Sequence, residues 1–318
     1  ECKVKVKNSN ARDKMKNLKI PSSGFQKRFI RAALYLLFAG LIIPVSRAFS
    51  QEISGYVAME SRIFPRSPLA SAQSGTGVSI ALQPEYYRDW AGGTHSILIV
   101  PFFRYDQHDS KRTHFDLREF YWRWVAGNWE LTAGFRKIFW GVTESVHLVD
   151  IINQTDFVEN LDGEQKLGQQ MVNLSWFRNW GTISFFVMPG FRERTFPGVE
   201  GRLRFPLPVD SRQAQYESEA GRNHVDWAIR YSHTLGAFDF GIAHFSGTSR
   251  EPRLLPGSNG NGTSVLTPVY DLIDQTSLDL QYTTGGWLWK LELISRKARQ
   301  QRMTAFVAGF EYTLANIR

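Results

Sequence analysis

The sequence predicts an all-β chain: a transmembrane antiparallel up-and-down β-barrel of about twelve or more strands, preceded by a signal peptide. Three observations carry this. Apolar and polar residues alternate with a period of two in segment after segment, as in Trp287-Leu288-Trp289-Lys290-Leu291-Glu292-Leu293, and successive side chains of a strand point to opposite faces. The connections between these segments are unequal: tight turns at Gly127, Asn179, Gly236 and Gly285 alternate with long, irregular stretches. Outer-membrane barrels have this asymmetry, with short periplasmic turns and longer external loops. Finally, residues 117–141 read LREFYWRWVAGNWELTAGFRKIFWG, with four tryptophans interleaved with charges. Indole rings near strand ends suit a membrane interface, where the ring is apolar and its N–H is wet.

Taken in order, the chain begins with a leader. Residues 1–50 hold eleven Lys/Arg and two acids, which leaves the body with 27 basic and 28 acidic residues. The formal charge of +8 therefore sits in the leader, and a basic surface for nucleic acid is not predicted. Lys27, Arg28 and Arg31 precede the apolar run AALYLLFAGLIIPV, and Ala48-Phe49-Ser50 places small residues before Gln51. That is the layout of a cleaved secretory signal, and the uncharged run is shorter than the roughly 20 residues a spanning helix needs. Residues 1–50 are thus expected to be upstream sequence and signal peptide, and 51–318 the barrel. Cys2 precedes the expected cleavage point, so no disulfide is expected in the mature chain.

The expected strands are 52–63, 76–87, 95–106, 113–126, 128–138, 169–177, 181–189, 223–234, 237–246, 274–283, 286–296 and 303–314. In the fourth, Phe115 and Leu117 give way to Phe120, Trp122 and Trp124. This change of phase near Arg118-Glu119 predicts a bulge. In the fifth, Trp129, Leu131, Ala133 and Phe135 alternate with Glu130, Thr132, Gly134 and Arg136. The apolar set is expected to face lipid and the charged set an aqueous lumen. Asn316, near the end of the sequence, reads as the start of a turn, so further C-terminal strands are expected beyond it.

The same parity gives a lumen-lining set of Glu130, Arg136, Asp226, Arg230, Asp279, Lys290 and Glu292. Both signs are present, which predicts no strong single-sign selectivity. The long connection 139–168 combines Glu144, Asp150, Asn153, Asp156 and Glu159 with the apolar residues Val149, Ile151, Ile152, Phe157 and Val158. Such a loop either caps the barrel from outside or folds into it, its apolar side chains on the wall and its carboxylates toward a constriction. The spacing of its acids does not match a twelve-residue calcium loop. A second long connection carries Arg192, Arg194, Arg202 and Arg204. Paired guanidinia on an extended segment suit phosphate, including that of lipopolysaccharide, or a carboxylate; Glu193, Glu200 and Asp210 in the same stretch are the alternative partners.

Gly134-Phe135-Arg136-Lys137 with Trp140-Gly141, Asp150-Ile151-Ile152-Asn153, Asp156, Lys166-Leu167-Gly168 and Pro189-Gly190-Phe191-Arg192-Glu193-Arg194 resemble a bacterial porin-like outer-membrane protein. The likeness is in particular to an uncharacterised proteobacterial group of such barrels. It covers roughly residues 120–314 and implies passive diffusion of small solutes through the lumen, with outer-membrane lipids and lipopolysaccharide as partners. A structural or surface-interaction barrel that does not conduct is the alternative, since both need a polar inside. No cofactor is expected. Ser258-Asn259-Gly260 has no histidine beside it, and no Gly-x-Ser-x-Gly elbow or phosphate-binding loop occurs, so the sequence predicts no enzyme.

Overall fold

The computed structural model describes residues 51–314. The expected signal peptide and the turn at Asn316 lie outside the described residues. The fold is all-β, with β1 Gln51–Ile63, β2 Thr76–Trp90, β3 His95–Asp106, β4 His114–Ala126, β5 Trp129–Arg136, β6 Gln169–Arg178, β7 Gly181–Pro189, β8 Gln215–Tyr216, β9 Val225–Leu235, β10 Phe238–Thr248, β11 Arg253–Ser258, β12 Ser264–Tyr270, β13 Leu272–Thr284, β14 Trp287–Ala298 and β15 Gln301–Tyr312. Twelve of these form one antiparallel sheet in the order β1-β2-β3-β4-β5-β6-β7-β9-β10-β13-β14-β15. They coincide with the twelve expected segments. The remaining three, β11-β12-β8, make a small separate sheet inside two long connections; their short, Pro- and Gly-containing sequences carry no clear alternation.

Every strand pairs with its sheet neighbour, which is how backbone groups are satisfied where lipid offers no hydrogen bonds. Among the described residues β1 and β15 are not paired with each other and each presents one open edge. Tight turns gather at one rim: 91–94, Gly127-Asn128, Asn179-Trp180, Gly236-Ala237 and Gly285-Gly286. Gly127, Gly236 and Gly285 have φ of 56°, 61° and 57°, the left-handed conformation that two-residue hairpins require and glycine takes without strain. The other rim carries 64–75, 107–113, 137–168, 190–224 and 249–271. One tight turn, Arg299-Gln300, also lies there and departs from the asymmetry.

The bulge is present and has a cause. Val100 pairs with Glu119 and Pro101 with Leu117, so Arg118 is the extra residue. Proline has no N–H to give the ladder, and the irregularity falls at that step. Its effect is to turn both Arg118 and Glu119 inward.

The two faces of the wall differ. Outside stand Trp129, Trp227, Ile229, Trp287, Phe306 and Trp289, the last 47% exposed. Inside, small residues leave room: Ala228, Ala243, Gly241 and Gly247 follow one another on neighbouring strands. Into that room fits the connection 137–168. Trp140, Val149, Ile151 and Ile152 form one apolar cluster with Met171, Phe186, Met188, Phe245, Ile273 and Ile294 of β6, β7, β10, β13 and β14. Of the two placements open to this loop, it takes the one inside the barrel.

Candidate constriction within the barrel

The loop is fixed at its base by Asn153. Its Oδ1 accepts from Ile138 N at 2.7 Å, and its Nδ2 donates to the carbonyls of Arg136 and Leu167, both at 2.9 Å. A side-chain amide thus ties together the two ends of the excursion. The first half of the loop then wraps Glu292 of β14. Glu292 Oε1 accepts from Val142 N at 2.8 Å, Thr143 N at 3.0 Å and Thr143 Oγ1 at 2.8 Å, and Oε2 from Val149 N at 3.1 Å. Gly141 makes this approach possible. Its φ is 134°, and a Cβ there would lie 2.7 Å from Glu292 Oε1.

Glu292 was expected to line water. It is 0% exposed and acts instead as an anchor for the loop. Asp226 and Asp279 are corrected in the same way. Asp226 receives Arg250 Nη1 at 2.6 Å, His224 Nδ1 at 2.7 Å and Thr248 N at 2.9 Å, while Arg250 Nε donates to Ile152 O at 3.0 Å. Asp279 takes a bidentate grip from Arg230 at 2.7 and 2.8 Å, and that guanidinium lies over the Trp140 ring. A buried carboxylate needs such partners, because desolvation otherwise costs several kcal/mol per ion. Glu130 and Arg136 stand on the inner face 3.8 Å apart. Lys290 remains near water, bonded to Glu144 and Glu311, both at 2.5 Å.

The loop carboxylates also differ from expectation. Asp150, Asp156 and Glu159 do not face an open channel; all three are buried. Lys166 Nζ lies 3.1 Å from Asp150. Arg118 Nη1 reaches Asp156 at 2.7 Å, and Thr195 Oγ1 donates to the same carboxylate at 2.5 Å. Arg104 Nε donates to both oxygens of Glu159 at 2.9 and 2.8 Å. Burial raises the Asp150 carboxyl above its ordinary value, with Lys166 opposing. Only Glu144 of the expected set is exposed, and Lys290 pairs with it. A second group completes the fastening: Arg112 bonds Glu60 at 2.8 Å and Asp106 at 2.7 Å, and its Nε donates to Val158 O at 3.2 Å. A recess opens beside it, lined by Glu60, Arg62, Arg112, Glu159 and Arg202 among others.

The arginines expected to hold an external anion are otherwise engaged. Arg192 turns inward to Asp116 at 2.7 Å and Gly168 O at 2.8 Å. Arg194 Nε donates to Gln154 Oε1 at 3.2 Å, and its guanidinium stacks over Phe157. Arg202 donates to Ser67 O at 3.0 Å, and Arg204 to Phe205 O at 2.7 Å and Pro206 O at 2.8 Å. Of the acids proposed as their partners, Asp210 pairs with Arg212 and Glu193 with Arg222.

The sequence reading missed Arg104, Arg112, Arg118, Arg250 and Glu60. Arg104 had a signal, since it shares the inward parity of Phe102 on β3. Arg118 is explained only by the bulge. Arg112 and Arg250 lie in irregular stretches where no period exists. Among the described residues no group of His, Cys, Asp or Glu is arranged to hold a metal ion.

No family model matches this sequence, and no curated protein matches it. Among solved structures it is similar to in-vitro folded OmpT, an outer membrane protein of Vibrio cholerae, at 9% identity and a TM-score of 0.46 over 86% of this chain and 74% of that one. It is also similar to a loop L8 deletion mutant of OmpT, at 10% identity and a TM-score of 0.46 over 85% and 78%, and to a trimer form of OmpT at 10% identity and a TM-score of 0.30 over 84% and 85%. At this identity these likenesses give no support for a narrower proteobacterial group. The expectation that the chain is not an enzyme is corrected here. The likeness is to OmpT-type proteins of the outer membrane, and it gives no ground for excluding catalysis.

Proposed function

We propose that this chain is a porin-like outer-membrane channel for passive diffusion of small solutes, its lumen narrowed by the loop 139–168. One observation carries the reading: Val149, Ile151 and Ile152 of that loop are packed inside the wall. A loop that only capped the barrel would leave these side chains near water. Burial of each is favourable by about 1.5–3 kcal/mol, while a longer loop adds little closure entropy.

Selectivity follows from the charges left in solvent. With Asp150, Asp156 and Glu159 paired with cations, the carboxylates of Glu144 and Glu251 stay exposed, each with a cation beside it, Lys290 and Arg296. Mixed signs of this kind favour weak selectivity that fades with salt. Export to the outer membrane through the leader 1–50, with cleavage before Gln51, belongs to the same proposal. Single-channel recording after reconstitution tests it: discrete conductance steps are expected.

The second reading, a barrel that does not conduct, is favoured by the buried ion pairs fastening the loop to β3 and β4. Absence of any step in both the intact protein and a loop deletion would establish that reading instead.

A further inference from the structure

Most interior arginines of the barrel meet a carboxylate: Arg104, Arg112, Arg118, Arg230, Arg250 and Arg296 all do. The hairpin β14–β15 behaves differently. Lys297 and Arg302 stand directly opposite each other across its ladder. They share the outward parity of Leu293 and of Phe306, which is 70% exposed. Like charges in direct cross-strand register destabilise a sheet. Neither cation is in any ion pair among the described residues, and Arg302 Nη1 donates only to Ser295 Oγ, at 2.8 Å. The turn that joins the strands adds a third cation. Arg299 and Gln300 have φ of 47° and 66°, left-handed conformations that L side chains rarely adopt. Asn-Gly would close such a hairpin at less cost, yet an arginine occupies it. Asp274 stands opposite Lys297 on β13, and Glu217 borders the same point, so three cations face two carboxylates. A recess at this point is lined by Glu217, His224, Asp274, Lys297 and Arg299 among others.

The position selects the ligand. The patch ends the apolar outer wall at the rim that carries the long loops, which is the external rim of an outer-membrane barrel. An outward cation at the end of an apolar strand faces lipid headgroups rather than solute. We propose that Lys297, Arg299 and Arg302 form a docking site for the phosphorylated glucosamine headgroup of lipid A in the outer leaflet, with acyl chains along Leu293 and Phe306. A phosphate between Lys297 and Arg302 would convert their repulsion into two charge-assisted bonds. The site rests on the outer-membrane placement stated above and is independent of whether the barrel conducts.

Native mass spectrometry of the full chain in detergent, titrated with bisphosphorylated lipid A, measures it. Wild type is expected to bind at least about tenfold more tightly than the double variant Lys297→Glu/Arg302→Glu, and to bind lipid A stripped of both phosphates as weakly as the variant does. Arg212→Glu, an exposed cation of another loop already paired with Asp210, should bind like wild type. Heat-modifiable electrophoretic mobility confirms that each variant is folded, and Lys297→Gln/Arg302→Gln serves if the charge reversal does not assemble. Equal binding by wild type and folded variant, equal binding of lipid A with and without phosphates, or equal displacement by phosphatidylglycerol vesicles would each overturn the proposal. Single-channel conductance of the double variant should match wild type; a barrel that binds lipid A but never conducts would refute the channel and leave this site standing.

Discussion

The inserted loop is held in two different ways along its length. Its first half, residues 140–152, lies on an apolar seat made by Met171, Phe186, Met188, Phe245 and Ile294, and its backbone N–H groups wrap the buried carboxylate of Glu292, which has no partner cation among the described residues. Its second half, residues 156–159, is held by charge: Arg118 on Asp156 and Arg104 on Glu159. The difference teaches what each part tolerates. An apolar seat loses stability in proportion to the volume removed and is nearly indifferent to salt. A buried ion pair adds little over an apolar replacement of equal shape, but breaking it from one side leaves an uncompensated charge.

The largest effect is therefore expected on the charged side. Arg118→Ala leaves Asp156, 0% exposed, without its cation and should cost about 3–5 kcal/mol of unfolding free energy. Replacing both Arg118 and Asp156 by apolar residues should recover most of that loss in a double-mutant cycle; if it recovers none, the pair is not the unit that holds this half. On the apolar side, Ile152→Ala should cost about 2–5 kcal/mol, and urea titrations at low and high salt should give the same value. A strong salt dependence would show that this half, too, is held by charge. The outer wall supplies the control. Leu291→Arg should hinder insertion by about 2–4 kcal/mol without altering protease access to the loop. If Leu291→Arg assembled as well as wild type, the parity of β14 would be reversed.

The smallest effect is a pH dependence. The Asp150 carboxyl is raised above its ordinary value, chiefly by burial, so the folded state binds its proton more tightly than the unfolded chain does. That contribution is complete below the ordinary aspartate value and is lost as pH rises through the raised one. Asp150→Asn should flatten the stability profile over this window. An unchanged profile would assign the dependence to another group.

The wall was legible because its rule is local. Alternation in Trp287–Leu293 and in Val225–Tyr231 marks inside and outside one residue at a time, and the phase change at Arg118 marks the bulge without reference to a partner strand. The inserted loop was legible only as a possibility, through apolar residues in a place where water would not favour them. Its contacts were not. Glu292 carries the pattern of a lumen-facing charge, and nothing within its strand records that Val142, Thr143 and Val149, far away in sequence, would surround it. The same holds for Arg192 and Arg194, whose spacing suited an anion but whose partners, Asp116 and Gln154, come from other parts of the chain. Parity tells which way a side chain points; it does not tell whether water or protein waits there.

The central claim, that the loop 139–168 occupies and narrows the lumen, is tested most directly by single-channel recording of the intact protein beside a variant lacking residues 145–163, both shown to be folded by heat-modifiable mobility. The deletion is expected to raise the conductance step, because Val149, Ile151 and Ile152 leave the interior with it. An unchanged conductance would contradict the claim and make the loop an outer cap.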